Sequence, residues 1–260
     1  MVKNPIGILD MGIEGLSIIS KLAENYRSET FIYLNDMIGA PYEGRTPEEI
    51  TKYVSNNIEL LNTLNLKMLL VVSDTILEYC SDLFKDLSYP VLPLIDLTHD
   101  YINEKYEQKN MVIIGKDGVL KANLYQKDLV YNHLFAIPSD EMEKIILSNQ
   151  TKTSKSFKTV QESLKPITKR DIEALILTLD YLQNLRIEIN EYLSANNIIT
   201  PYDIFADKIN KDYSDLLLQK GKGKVYILSQ LPKNEFFKQT YWFDTKCKYF
   251  NVTSDQIKVK

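Results

Sequence analysis

Leu69-Leu-Val-Val-Ser-Asp74 and, in the second half of the chain, Leu175-Ile-Leu-Thr-Leu-Asp180 are the stretches on which the fold turns. Each is an apolar run of strand length that meets a small hydroxyl residue and an aspartate where helical periodicity takes over. A strand without alternation is buried on both faces, the mark of a parallel sheet covered by helices. Working outward, the same rhythm recurs almost end to end. Strands are predicted at Ile6 to Asp10, Thr30 to Leu34, Met68 to Ser73, Val91 to Ile95, Met111 to Gly115, Val130 to Ile137, Ala174 to Thr178, Ile198 to Tyr202 and Lys224 to Ser229. Helices follow Asp10, Thr75, Asp96, Gly118, Ser139, Asp180, Tyr202 and Pro232. The best-marked helix is Thr46 to Leu64, with Thr46 as N-cap, Pro47 at the first helical position and Glu49 closing a capping box. Ile50, Val54, Ile58 and Leu61 then share one face. The fold class is α/β with largely parallel sheets. The echo between the two stretches implies two similar halves whose strand ends face a cleft, the default place for a ligand in open parallel sheets.

Composition narrows the function classes. With 260 residues, 44% apolar and 25% charged, the chain has the makeup of a globular protein of one large or two ordinary domains. A net charge of -4 and the lack of a long lysine or arginine run give no footprint for nucleic acid. Apolar stretches such as Met68 to Val72 and Ile172 to Leu177 are far too short to span a bilayer. The start reads as no signal peptide, so the expectation is a cytoplasmic protein with free thiols. Two cysteines, Cys80 and Cys247, and two histidines, His99 and His133, are too few for a structural metal site. Nine glycines, about half the usual share of roughly 7%, argue against a glycine-rich phosphate loop. No metal and no cofactor are expected.

Two segments stand apart from the rhythm. Asn149 to Lys165 is lysine- and serine-rich and reads as an exposed loop or lid. Phe236, Phe237, Tyr241, Trp242 and Phe243 concentrate aromatic residues near the C-terminus, as a helix packed on the sheet or as a partner contact.

The strand-end residues resemble a known family. Ile6-Gly-Ile-Leu-Asp10-Met-Gly-Ile-Glu-Gly15-Leu-Ser17 is similar to the opening turn of bacterial glutamate racemases, with Asp10, Gly12, Gly15, Leu16 and Ser17 matching. Tyr33-Leu-Asn-Asp36 and Pro41-Tyr-Glu-Gly-Arg-Thr-Pro-Glu-Glu-Ile50 resemble that family's next two motifs. Gly118-Val-Leu-Lys-Ala-Asn-Leu-Tyr125 and Lys224-Val-Tyr-Ile-Leu-Ser229 resemble its later helix and closing strand. The likeness covers nearly the whole chain in order. It implies two parallel-sheet α/β lobes related by a pseudo-two-fold axis, the aspartate/glutamate racemase-like fold, with residues 1–97 and 203–260 in the first lobe and 98–202 in the second. It also implies a homodimer, and some members of the family bind DNA gyrase.

The family's chemistry demands two acid/base groups, one on each face of the α-carbon, and uses two cysteine thiols whose pKa lies near the working pH. At the matching positions this chain carries Ser73 and Leu179, while Asp180 or Tyr181 stands where the family has a histidine. A serine hydroxyl is a poor base unless a neighbour activates it, and leucine exchanges no proton. The substrate cradle shifts in the same direction. Met11 replaces a serine, Glu43 a glycine, Asp74 an asparagine, Val119 a threonine and Ala122 a serine, and Thr178 takes a glycine's place. Pro41, Tyr42 and Thr75 remain. New carboxylates oppose a dicarboxylic substrate, since like charges about 4 Å apart cost roughly 4 kcal/mol at an effective dielectric near 20. The resemblance thus points to Asp10, Ser73 and Asp180 as degenerate catalytic positions. Met11, Pro41, Tyr42, Glu43, Asp74, Thr75, Thr178 and Leu179 are expected to line the cleft. Two readings follow. One is a catalytically inactive racemase fold retained as a protein-binding or regulatory module. The other is an enzyme of the same superfamily with one-base chemistry, a different substrate or residual racemisation.

Overall fold

A computed structural model describes residues 4–36, 44–193 and 197–252. The chain divides into Met1–Leu94 with Phe205–Lys260, and Ile95–Ile204. The first unit runs β1 (Ile6–Asp10), α1 (Gly15–Asn25), β2 (Phe31–Asn35), α2 (Pro47–Asn62), β3 (Met68–Val71), α3 (Asp74–Cys80) and β4 (Val91–Pro93). Helix α4 (Leu94–Tyr106) leads into the second unit. There β5 (Lys109–Gly115), α5 (Asp117–Lys121), β6 (Tyr131–Pro138), α6 (Asp140–Leu147), α7 (Ser154–Leu164), β7 (Ala174–Leu177), α8 (Arg186–Tyr192) and β8 (Ile198–Ile199) follow. Helix α9 (Pro201–Asp212) returns the chain to the first unit, which ends with β9 (Val225–Ser229), α10 (Lys233–Gln239) and β10 (Cys247–Asn251). Both divisions fall near the first turn of a connecting helix or just inside it, a few residues from Leu97 and Tyr202.

All strand pairings are parallel. The first sheet has the order β10-β9-β2-β1-β3-β4 and the second β6-β5-β7-β8. The stretch β2-β1-β3-β4 therefore repeats as β6-β5-β7-β8, which is the physical basis of the sequence echo. In each sheet the connections leave in opposite directions from the two middle strands. The crevice at their carboxyl ends is a switch point. Asp10 and Ser73 flank the first such point, Gly115 and Thr178 the second. Strands β3 and β7 are buried over their whole length, as central parallel strands must be.

The structure differs from the sequence expectation in three places. The polar segment expected to be a loop or lid holds α7. Thr153 Oγ1 accepts from Ser156 N–H at 3.2 Å, and Ser156 Oγ accepts from Thr153 N–H at 2.9 Å, closing a capping box. Val160 and Leu164, one turn apart, bury the inner face, and the lysines form the outer one. Cys247 opens β10, an edge strand paired to β9 that the predicted strands do not include. Tyr249 of β10 packs its ring on Phe236 and Phe237 of α10, 5.2 and 5.7 Å between centroids, so these aromatics join helix to sheet. The strand expected over Ile198 to Tyr202 is shorter, because Thr200 and Pro201 open α9. Among the described residues no helix is long and apolar enough to cross a membrane.

Candidate functional site

The register of the first sheet places Asp10, Asn35 and Ser229 side by side at the carboxyl ends of β1, β2 and β9. Each is fully buried, so each polar group must find a partner inside the protein. Asp10 Oδ1 accepts from Gly12 N–H at 3.1 Å and Oδ2 from Gly15 N–H at 2.8 Å. The carboxyl thus satisfies amides that the residue before α1, Glu14, leaves uncapped. The Tyr33 hydroxyl lies 2.6 Å from Asp10 Oδ2 and 2.9 Å from the Gly12 carbonyl. One hydroxyl proton cannot serve both acceptors. With Asp10 ionised the hydroxyl donates to its carboxylate; once Asp10 takes a proton, the carboxyl can donate to the Tyr33 oxygen and leave the tyrosine proton to Gly12. Electrostatics agree, since burial and then the Glu14 carboxylate push Asp10 up from 3.8 to about 7, outweighing the hydrogen bonds from Tyr33, Gly15 and Gly12. Burial, and then the charge of Asp10, raise Tyr33 in turn. Asn35 Nδ2 also donates to the Gly12 carbonyl, and Ser229 Oγ to Asn35 Oδ1 at 3.2 Å. Asp36 Oδ2 accepts from Asn57 Nδ2 of α2 at 2.8 Å. Sequence reasoning missed Tyr33, Asn35 and Ser229. The available signal is the alternation along β2, which sends Tyr33 and Asn35 to the same face.

Ser73 caps a helix. It has extended backbone, and its Oγ accepts from Ile76 N–H at 3.4 Å as the N-cap of α3, with Asp74 at the first helical position. Met11, Asp74 and Thr75 are half-buried around the same switch point. Pro41, Tyr42 and Glu43 lie outside the described residues. Cys80, at the far end of α3, is buried, and burial pushes its thiol up. Cys247 is raised for the same reason.

In the second unit Thr178, Leu179, Asp180 and Tyr181 are all nearly or fully buried. Thr178 packs over Gly115, and its Oγ1 has no hydrogen-bond partner among the described residues. Leu179 fills its place with an aliphatic side chain, 4% exposed. Asp180 Oδ1 accepts from Tyr202 N–H at 3.0 Å, and Oδ2 from Gln183 Nε2 at 2.5 Å. It ties the turn after β7 to the first turn of α9. Tyr181 donates to Glu143 Oε2 of α6 at 2.5 Å, and Ser139 Oγ to the other oxygen at 2.5 Å. The histidines stand elsewhere, with His99 Nε2 at 2.8 Å from the Tyr125 carbonyl and His133 Nδ1 at 3.1 Å from Asn110 Oδ1. Among the described residues no cluster of three His, Cys, Asp or Glu side chains could hold a metal ion.

Comparison with known proteins sets this geometry in context. No family model matches the chain. A glutamate racemase from Lysinibacillus sphaericus is 22% identical, covering 90% of this chain and 88% of its own. One from Limosilactobacillus reuteri is 28% identical over 75% of both. Among solved structures, glutamate racemase from Thermus thermophilus aligns with a TM-score of 0.82 at 19% identity, over 98% of each chain. An aspartate racemase homologue from Pyrococcus horikoshii aligns at 0.60 and 16% identity, over 80% of this chain and 98% of its own.

Proposed function

The chain belongs to the aspartate/glutamate racemase superfamily, and from that premise we propose that it has lost two-base racemisation and serves as a protein-binding or regulatory module. One observation carries the reading: neither position matched to a catalytic thiol holds a group able to exchange a proton there. Ser73 Oγ is committed to the Ile76 amide, its own unit holds no histidine to activate it, and Leu179 is aliphatic and buried. The chain's own cysteines do not substitute. Cys80 lies at the end of α3 and Cys247 on β10, and both thiols are held protonated by burial.

The binding role takes the form of self-association or a protein partner. DNA gyrase is the candidate by family resemblance alone, and the open edge of β10 with half-exposed Phe250 is a surface suited to such a contact.

A second reading is favoured by Asp10, whose carboxyl titrates near neutrality as a general acid/base should. Against it, both carboxyl oxygens already take hydrogen bonds from the turn and from Tyr33, and the side chain is fully buried. The deciding experiment is deuterium incorporation at Cα across a panel of D- and L-amino acids. The proposal expects none. Robust exchange that is lost in Asp10→Asn or Ser73→Ala would install the one-base enzyme instead.

A further inference from the structure

A cavity of about 590 Å³ opens in the first unit at the edge of the sheet opposite Asp10 and Ser73. It lies where the chain enters β2, β9 and β10, bounded by the last turns of α1. Arg27, Lys222, Lys224 and Lys246 line it, all exposed. None of the four forms an ion pair among the described residues. The carboxylates on its wall are Glu24, Glu29 and Asp244. Glu29 is spent, because its oxygens take the Lys67 ammonium at 2.8 Å and the Leu218 N–H at 2.5 Å. Four cations then face two free carboxylates, so the concave surface carries an excess of positive charge on a chain whose net charge is -4. A cleft of one prevailing sign focuses its field on an oppositely charged ligand.

The loop that supplies two of these cations has an enforced shape. In Lys220-Gly-Lys-Gly-Lys224, Gly221 has φ of 137°. A Cβ on Gly223 would fall 1.7 Å from the Glu29 carbonyl, while Gly223 N–H donates to the Arg27 carbonyl at 2.8 Å. Both positions exclude side chains, and Gly223 locks the loop against residues 27–29. The wall opposite is closed by hydroxyls that pair with each other and with the backbone, Thr245 Oγ1 donating to Ser20 Oγ at 2.7 Å and Ser20 Oγ to the Leu16 carbonyl at 3.0 Å. We propose that this cavity binds a phosphate dianion, free or as the phosphomonoester of a small metabolite. Its volume leaves room for a small phosphorylated metabolite, and converging ammonium and guanidinium groups are the chemistry that recognises phosphate.

The test is calorimetric titration of the full chain with inorganic phosphate and, separately, with ribose 5-phosphate, at ionic strength fixed with sodium chloride. Saturable binding of either supports the site. Tighter binding of the ester assigns the ligand to a phosphorylated metabolite, and equal binding assigns it to the free ion. The Lys222→Gln/Lys246→Gln variant should bind about a hundredfold more weakly, roughly tenfold for each cation removed. Its thermal transition should match the parent's, because both side chains are exposed, and Lys169→Gln in the other unit should bind as the parent does. Failure of both probes to bind, or binding that the double variant leaves unchanged, would overturn the proposal. So would a single-stranded oligonucleotide that displaces ribose 5-phosphate at lower concentration, since the occupant would then be nucleic acid.

Discussion

Replacing Asp10 with asparagine isolates the energetic consequence of burying an acid that titrates near neutrality. In the unfolded chain Asp10 loses its proton around 3.8, and in the folded protein around 7. Between those values the unfolded state has released a proton that the folded state still holds, so stability falls as pH rises. The contribution is whole below 3.8, is lost through the interval, and is gone above about 7. From about pH 5 to about pH 8 the loss is close to two pKa units of free energy, or about 3 kcal/mol. The asparagine amide does not titrate. It also forfeits one acceptor, because an amide presents a donor to either Gly12 or Gly15, but that penalty is the same at every pH. The quantity to follow is therefore the stability difference between variant and parent across the interval, in which the constant penalty cancels. Urea unfolding followed by fluorescence suits the measurement, since Trp242 is the one tryptophan and belongs to the same unit as Asp10. The variant should gain about 3 kcal/mol on the parent between about pH 5 and pH 8. A difference that stays flat, or that moves against the variant as pH rises, would refute the reasoning, because Asp10 would then be held ionised.

Three further substitutions test other parts of the structure. Thr178→Val removes a buried hydroxyl that no group among the described residues satisfies and should leave stability unchanged or raise it by about 1 kcal/mol in chemical denaturation. A large loss would show that the hydroxyl has a partner. Ser73→Ala should cost about 0.5–1 kcal/mol in chemical denaturation through its helix cap, and Ser73→Asp should recover much of it; no recovery would refute the capping role. Lys67→Met strands the Glu29 carboxylate at 1% side-chain exposure and should destabilise by roughly 3–5 kcal/mol, visible as a lowered melting temperature. A double change that also removes Glu29 should recover a good part.

The periodic elements were legible because their signals are local. Thr46 and Glu49 announce α2 within one turn, and the capping box forms as expected. The unbroken apolar runs of β3 and β7 likewise identify buried parallel strands. Helix α7 was obscured because Val160 and Leu164 alone carry its inner face among lysines and serines, although Thr153 and Ser156 mark its start. Strand β10 was missed since an edge strand buries little, and Lys248, Phe250 and Asn251 are exposed. At the candidate site, residue identity located Asp10, Ser73 and Asp180 at element ends but could not give their partners. The bond from Tyr202 to Asp180 spans 22 residues, and that from Tyr33 to Asp10 spans 23. Such pairings are set by sheet order, which no local pattern carries. Ser73 illustrates the difference, since a position matched to an acid/base thiol carries the cap at the start of α3.

The order of strands in the first sheet bears on how this chain is made. Strand β2 is flanked by β1 and by β9, and β9 leaves the ribosome only after the entire second unit has been synthesised. Until then the fully buried side chains of β2 have one open flank, and Glu29 and Lys67 lack the Leu218 amide and Leu216 carbonyl that complete their shell. The second unit, Ile95–Ile204, is contiguous and draws all four strands of its sheet from its own sequence. It is therefore the part able to close first, and the first unit completes its sheet only once β9 and β10 have followed. A nascent or proteolysed chain ending before Val225 would display a long unpaired apolar edge, the feature that drives strands of separate molecules together.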